Sequence, residues 1–230
     1  MERYHVYHKK YKEACRVLKP KILGDRSNFV LYLCFTFEIM KEQTLKHILD
    51  VGMQLMLEKG YNKLGINEVL DTAEIPKGSF YYYFKSKEDF GLKVIQYYSA
   101  NTLQFVKQHL EDKSKDPRAR LIDFFEGMKP IYQEKAYKEG CLLGNCSLEL
   151  SDQAESFRNL VSNELNQWQS AIEACITEGQ KSGSIKSGET AKDLANFILN
   201  SWEGALLRMK ASKNPESYNN FVYFLDKYMI

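Results

Sequence analysis

The chain has 230 residues, 44% of them hydrophobic and 27% charged, with a formal net charge of +2. That balance excludes a disordered or fibrous chain, and the length allows one large domain or a small one joined to a medium one. Five prolines and thirteen glycines are few for such a length, and long stretches carry apolar residues at helical spacing, which points to an all-α protein.

Residues 1–39 are read as an N-terminal extension, either an additional helix or sequence upstream of the natural start. They hold eight Lys and Arg against four Asp and Glu, whereas residues 40–93 balance at eight of each. The apolar run Phe29–Phe37 follows basic residues in the manner of a signal peptide. No small-residue cleavage site follows it, however, and it is about half the ~20 residues that span a bilayer. The five cysteines (Cys15, Cys34, Cys141, Cys146, Cys175) are odd in number and lack framework spacing, as in a protein of the reducing cytoplasm. The four histidines are scattered, and no metal site or cofactor is expected.

From Met40 onward the pattern is cleaner. Leu45, Ile48, Leu49, Gly52, Leu55 and Met56 mark one face of a helix over 41–59, with Gly60 in the position that ends it. A second short helix covers 66–73. Pro76 suits the first turn of a third, and Ser86 with Asp89 reads as the capping box of a fourth that continues to about Leu110. Further helices are predicted at 118–129, 131–138 and 141–151. A long one follows at 153–180, then one at 190–211 that is apolar around most of its girth. Asn214 caps the last.

The third helix carries the informative stretch, Ile75-Pro-Lys-Gly-Ser-Phe-Tyr-Tyr-Tyr-Phe-Lys85. At 100° per residue Phe80 and Phe84 share one side and face the first two helices. Gly78, Tyr81 and Tyr82 share the other, with Lys77 at its margin and Tyr83 near the boundary. A short helix preceded by an eight-residue helix and a tight turn is the arrangement that enters a DNA major groove. Glycine lets the backbone approach, the phenols offer rigid hydroxyls, and lysines neutralise phosphate. A nucleic-acid binder usually shows a basic surplus across its binding domain, and here the surplus is only local (Lys77, Lys85, Lys87 and Lys93 against Glu88 and Asp89), which counts against that reading.

The segment Ile48–Phe90 resembles the DNA-binding domain of the tetracycline-repressor (TetR) family, whose hallmark is Lys-Gly-Ser, then Leu or Phe, Tyr-Tyr, any residue and Phe, followed after one position by Ser or Thr, Lys and an acidic residue. Gly140–Asp152 and Trp202–Leu225 resemble segments of one subtype of that family's regulatory domain. The resemblance implies a three-helix, homeodomain-like helix-turn-helix domain over 40–88 and a helical ligand-binding and dimerisation domain over 89–230. It implies groove contacts from Lys77, Gly78 and Tyr81 and phosphate contacts from Tyr82, Tyr83 and Lys87, with Ser79 on the same surface. Gly65, Leu70, Glu74 and Tyr83 depart from the family pattern. Glu74 stands where glycine usually adopts a left-handed conformation, which costs another residue about 1–2 kcal/mol.

In the C-terminal part, Trp168, Ile172, Phe197, Ser201, Trp202, Gly204 and Ala205 are candidates for a dimer surface, the small ones permitting close approach. Tyr97, Phe105, Phe124, Phe125, Met128, Tyr132, Cys141 and Asn145 are candidates to line an effector pocket, for a small hydrophobic or electrophilic molecule. Cys141 serves as a sensor only if its thiol is accessible and of depressed pKa. These readings converge on a cytoplasmic homodimeric transcriptional regulator, a repressor of a palindromic double-stranded DNA operator, released by its effector. The alternative is a DNA-bound adaptor regulated by a protein partner. Neither a Ser-His-carboxylate pattern nor a phosphate loop supports an enzyme, and no membrane partner is expected.

Overall fold

The computed structural model describes residues 26–230, and among these every regular element is helical. Cys15 and the greater part of the 1–39 extension lie outside the described residues. The first helix, α1, runs Arg26–Lys59 rather than opening at Met40. No proline or glycine interrupts the chain between Arg26 and Gly52, so nothing local stops the helix earlier. The chain divides into a unit ending at His47 and a compact unit over Ile48–Ile230. The second contains everything described from here on.

Two short helices follow in quick succession. Gly60 (φ 83°) ends α1, and α2 (Ile66–Thr72) opens at Gly65, an N-cap without a side-chain hydrogen bond. Glu74 does adopt the left-handed conformation, at φ 56°, and makes the turn into α3 (Lys77–Tyr83). α3 ends two residues earlier than predicted, because Phe84 is extended (φ −133°, ψ 131°). Its ring still turns inward, 5.0 Å from both Phe80 and Phe90, while Phe80 and Phe90 lie 5.6 Å apart. These three sealed rings pack together beneath α3, each contributing roughly 2–3 kcal/mol by burial. Gly52 lets α1 lie directly on Phe90 and Val94; a β-carbon there would collide with both.

Half of the capping box opening α4 (Lys87–Leu110) is present: Ser86 Oγ accepts from Asp89 N at 3.0 Å, while the Asp89 carboxylate accepts from Lys85 N at 2.9 Å, one residue before the N-cap. The helices beyond are α5 (Pro117–Glu134), α6 (Leu142–Leu150), α7 (Glu155–Ser182), α8 (Ala191–Ser212) and α9 (Glu216–Phe224), the last continuing as a π-helical turn over Leu225–Met229. The predicted break between 129 and 131 does not occur. Pro130 sits inside α5 on its exposed side, while Phe124, Phe125, Met128 and Tyr132 form one buried stripe across it. Packing of that stripe outweighs the one backbone hydrogen bond the proline removes. The N-cap of α9 is Pro215 rather than Asn214, one residue later than expected, although Asn214 Oδ1 still accepts from Glu216 N at 3.0 Å.

α7 packs between α4 and α8, with the Trp168 and Trp202 rings 5.7 Å apart. Phe125, Phe221 and Tyr218 extend this core, and the Tyr218 hydroxyl donates to Phe125 O at 2.9 Å. One charged group is buried with it. The Arg120 guanidinium donates to both oxygens of Glu178, at 2.8 and 3.0 Å, and to the carbonyls of Leu110 and Lys115. These bonds, with one from Lys113, hold the Glu178 carboxyl down at about 2.

Candidate functional site

The outward face of α3 is assembled as the helical projection predicted. Phe80 is wholly buried, whereas Tyr81 is 69% and Tyr82 58% exposed; Lys77 and Gly78 are exposed beside them. Nothing lies within 4 Å of where a Gly78 β-carbon would sit, so the glycine presents bare backbone to the outside. Ser79 and Tyr83 are half-buried at the margins. The rings brace one another rather than waving free: Tyr81 packs edge-on to Phe80 at 5.5 Å and Tyr82 edge-on to Tyr83 at 4.9 Å. Such bracing fixes the hydroxyls in space and lowers the ordering cost of any contact they make.

The basic residues divide into two sets. Lys77, at the start of α3, and Lys85, just beyond its end, are exposed. Lys93 Nζ instead donates to Tyr83 O at 3.1 Å and to Asp89 at 2.9 Å, which satisfies an orphan carbonyl at the C-terminal end of α3. Lys87 donates to Asn62 O at 3.3 Å and lies 4.6 Å over the Tyr61 ring. Its position joins the turn after α1 to the start of α4, and a phosphate contact would have to compete with those bonds.

The candidate effector residues do not form one group. Tyr97 points away from the others, its hydroxyl 2.6 Å from Asp50 Oδ1 of α1; burial, then that carboxylate, pushes its pKa up to about 12. It is therefore a tie between α4 and α1, a role invisible to spacing along α4 alone. Phe105, Phe124 and Phe125 are consecutive links of a packed aromatic chain, at 5.9 and 4.8 Å. Met128 and Tyr132 are buried on the same stripe of α5, with the Tyr132 ring 5.3 Å from that of Tyr218.

Cys141 and Asn145 belong to a different feature, a buried polar cluster where α6 meets α4 and α8. The Tyr98 hydroxyl lies 3.8 Å from Cys141 Sγ, and the thiol hydrogen-bonds to the Glu203 carboxyl. Asn145 Oδ1 accepts from Lys210 at 3.3 Å. Asn145 Nδ2 and Glu203 Oε1 are sealed from solvent without hydrogen-bond partners. Unmet donors and acceptors of this kind cost about 1–3 kcal/mol each, and they mark a place where a water or a polar ligand atom belongs. Trp202 Nε1 also lacks a partner in hydrogen-bonding geometry, although the Tyr218 hydroxyl is beside it. Sequence reasoning missed Tyr98, Glu203 and Lys210 because they converge from helices distant along the chain.

The thiols themselves are not poised for reaction. Burial, reinforced by the Glu203 charge, pushes Cys141 well above its ordinary value; burial, then Glu149, pushes Cys146 up to about 12. Cys175 is raised to about 11, again chiefly by burial. Since the thiolate is the nucleophile, the folded protein at pH 8 is expected to leave all three unalkylated by iodoacetamide while the unfolded protein labels fully. Peptide mass spectrometry reads the outcome directly, and rapid labelling of Cys141 in the folded state would contradict this burial.

The candidate dimer residues also separate. Trp168, Ile172, Trp202 and Ala205 are buried in the chain's own core, so the excess apolar girth of α7 and α8 is largely consumed internally. Phe197 (58% exposed), Ser201 and Gly204 instead lie on the other side of α8. With Phe224 and Tyr228 they line a groove of roughly 480 Å³ between α8 and α9, floored by Ala205 and Phe221.

Comparison with known proteins places these features. Residues 48–92 match the model of bacterial regulatory proteins of the tetR family, and residues 117–225 match the tetracycline-repressor-like C-terminal domain. The chain is 37% identical over 177 residues to the transcriptional repressor DhaR of Mycobacterium sp. strain GP1, covering 77% of this chain and 87% of that one. The crystal structure of a TetR regulatory protein from Rhodobacter sphaeroides superposes with a TM-score of 0.77 at 31% identity, covering 80% of this chain and 98% of that one. The reduced form of NemR from Escherichia coli gives 0.74 at 29%, covering 81% and 97%.

Proposed function

Because the chain belongs to the tetracycline-repressor family of transcriptional regulators, we propose that it is a homodimeric repressor, released from a palindromic operator by a small molecule. Family membership makes it a DNA-binding regulator rather than an enzyme. The observation that carries the reading is α3 itself. Its inner side is closed by Phe80, while its outer side offers bare backbone at Gly78, braced phenols at Tyr81 and Tyr82, and the exposed Lys77. A surface with flat rings, a glycine and a cation suits a groove lined by phosphates and base edges.

One such helix buries too little to select a site on its own. The groove between α8 and α9 supports pairing of two chains, since Phe197, Phe224 and Tyr228 leave large apolar surfaces exposed around small residues. A two-fold pair would set two recognition helices about one DNA turn apart. The effector reading rests on the Cys141–Asn145–Glu203 cluster, whose unpartnered polar atoms suit a small molecule carrying its own donor and acceptor. With the Cys141 thiol held far above its ordinary value, reversible hydrogen bonding is the better-supported mode of release than attack on an electrophile. The protein would act in the cytoplasm, with its DNA.

Selection from a pool of random duplexes with the purified full chain tests this. The expected product is an inverted repeat with half-sites about 10 base pairs apart, centre to centre. Recovery of a single unrepeated half-site would remove the dimer, and no enrichment at all would remove the repressor.

A further inference from the structure

α6 spans from the buried polar cluster to the DNA-binding part of the molecule. Near its start, Gly144 lies so close to the Glu203 carboxylate that a β-carbon there would collide with it, and Asn145 holds Lys210 of α8. Five residues on, about 7 Å along the helix axis, the Glu149 carboxylate reaches the turn that ends α1. Its Oε2 accepts from Tyr61 N at 3.0 Å and its Oε1 from Asn62 N at 2.7 Å. Gly60 makes this possible in two ways. Its φ of 83° turns the backbone, and the space a β-carbon would fill is taken, at 2.7 Å, by Glu149 Oε2.

The captured turn is tied in its own right to α7 and to the start of α4, the helix that follows the recognition helix. The Tyr61 ring packs on Phe157 at 5.0 Å, and Lys87, at the first position of α4, holds Asn62 O. Both bonds to Glu149 are charge-assisted, roughly twice as strong as neutral ones, and between them they fix direction as well as distance.

We propose that Glu149 is a carboxylate latch through which α6 transmits displacement at its Gly144–Asn145 end to the DNA-binding helices. This deepens the repressor reading and rests on it. A short helix with both ends anchored moves as a unit, so a group seated between Asn145 and Glu203 shifts the Gly60–Asn62 turn through Glu149. Without the latch, the DNA-binding helices no longer sense that shift.

A double-mutant cycle on the full chain tests the latch without knowledge of the effector. Gly144→Ala supplies the displacement by pressing on Glu203; Asn145→Ala, which only removes atoms, supplies it where Gly144→Ala melts early. Glu149→Gln supplies the break, since the amide cannot accept from both backbone N–H groups without setting its own NH₂ against one of them. Fluorescence anisotropy on the selected operator is the readout, with thermal melting to show that each protein is folded. The perturbing substitution is expected to change operator affinity by about tenfold alone and by less than about twofold in the Glu149→Gln background, the range typical of coupling between sites. Equal factors in both backgrounds overturn the latch, as does an affinity unmoved by both perturbing substitutions. Either result leaves the repressor standing, whereas a wild-type chain that selects no operator removes the repressor and the latch together.

Discussion

Replacing Gly78 by glutamate is expected to leave the fold intact and to weaken operator binding by roughly 100-fold or more, as a like charge set against phosphate costs several kcal/mol. The prediction follows from two features of one residue. The space around its missing side chain is open, so the new atoms meet no neighbour in the folded chain. It also lies in the first turn of α3, where a carboxylate interacts favourably with the exposed N–H groups of the helix. Stability should therefore hold or rise slightly, since glycine in a helix is itself about 1 kcal/mol worse than other residues. Lost affinity then reports the contact surface alone. Thermal melting and anisotropy on the same preparation separate the two effects. Wild-type affinity in Gly78→Glu would mean that the outward face of α3 is not where DNA sits.

The helix-turn-helix was legible in the sequence because its logic is local. Phe80 and Phe84 are four apart and seal one side; Gly78, Tyr81 and Tyr82 fall on the other; Ser86 and Asp89 cap the next helix. Even the departure from the family pattern at Glu74 was readable as a left-handed residue, and φ is 56° there. What failed were inferences that needed the third dimension. Tyr97 sits at pocket-like spacing, yet Asp50 of α1 claims its hydroxyl. Trp168 and Trp202 belong to helices apolar enough to serve a partner, yet they pack against each other inside one chain. Pro130 signals a break by every local rule, and the buried stripe from Phe124 to Tyr132 overrides it. Glu149 and Glu203 had no local signal at all. Their significance lies in what they meet: a turn 87 residues upstream for Glu149, and a thiol and a glycine on α6 for Glu203.

Glu203→Gln is expected to stabilise the protein by about 3 kcal/mol at pH 8, roughly 10 °C in melting temperature, and to have almost no effect near pH 4.5. Burial lifts the Glu203 carboxyl from its ordinary 4.5 to about 7, against a smaller opposing effect of the Cys141 hydrogen bond. The folded chain thus binds a proton that the unfolded chain has released. For an acid displaced upward, the cost is absent below the unfolded value and grows as pH rises, reaching its full size above about 7. Glutamine removes the ionisation, and with it the decline in stability between about pH 4.5 and 7. Glu178 behaves in the opposite sense: held down at about 2 by Arg120 and then Lys113, it stabilises above 4.5, and that contribution is lost as pH falls toward 2. The two carboxylates differ in partners, since Glu178 has two cations and no described cationic side chain pairs with Glu203. A carboxylate kept where it weakens the fold is a mark of a site shaped for something other than stability. Denaturant midpoints of the two proteins across pH 4.5–8 decide the matter: parallel curves would show that Glu203 carries no such cost, and the effector reading would then rest on the unpartnered atoms of the cluster alone.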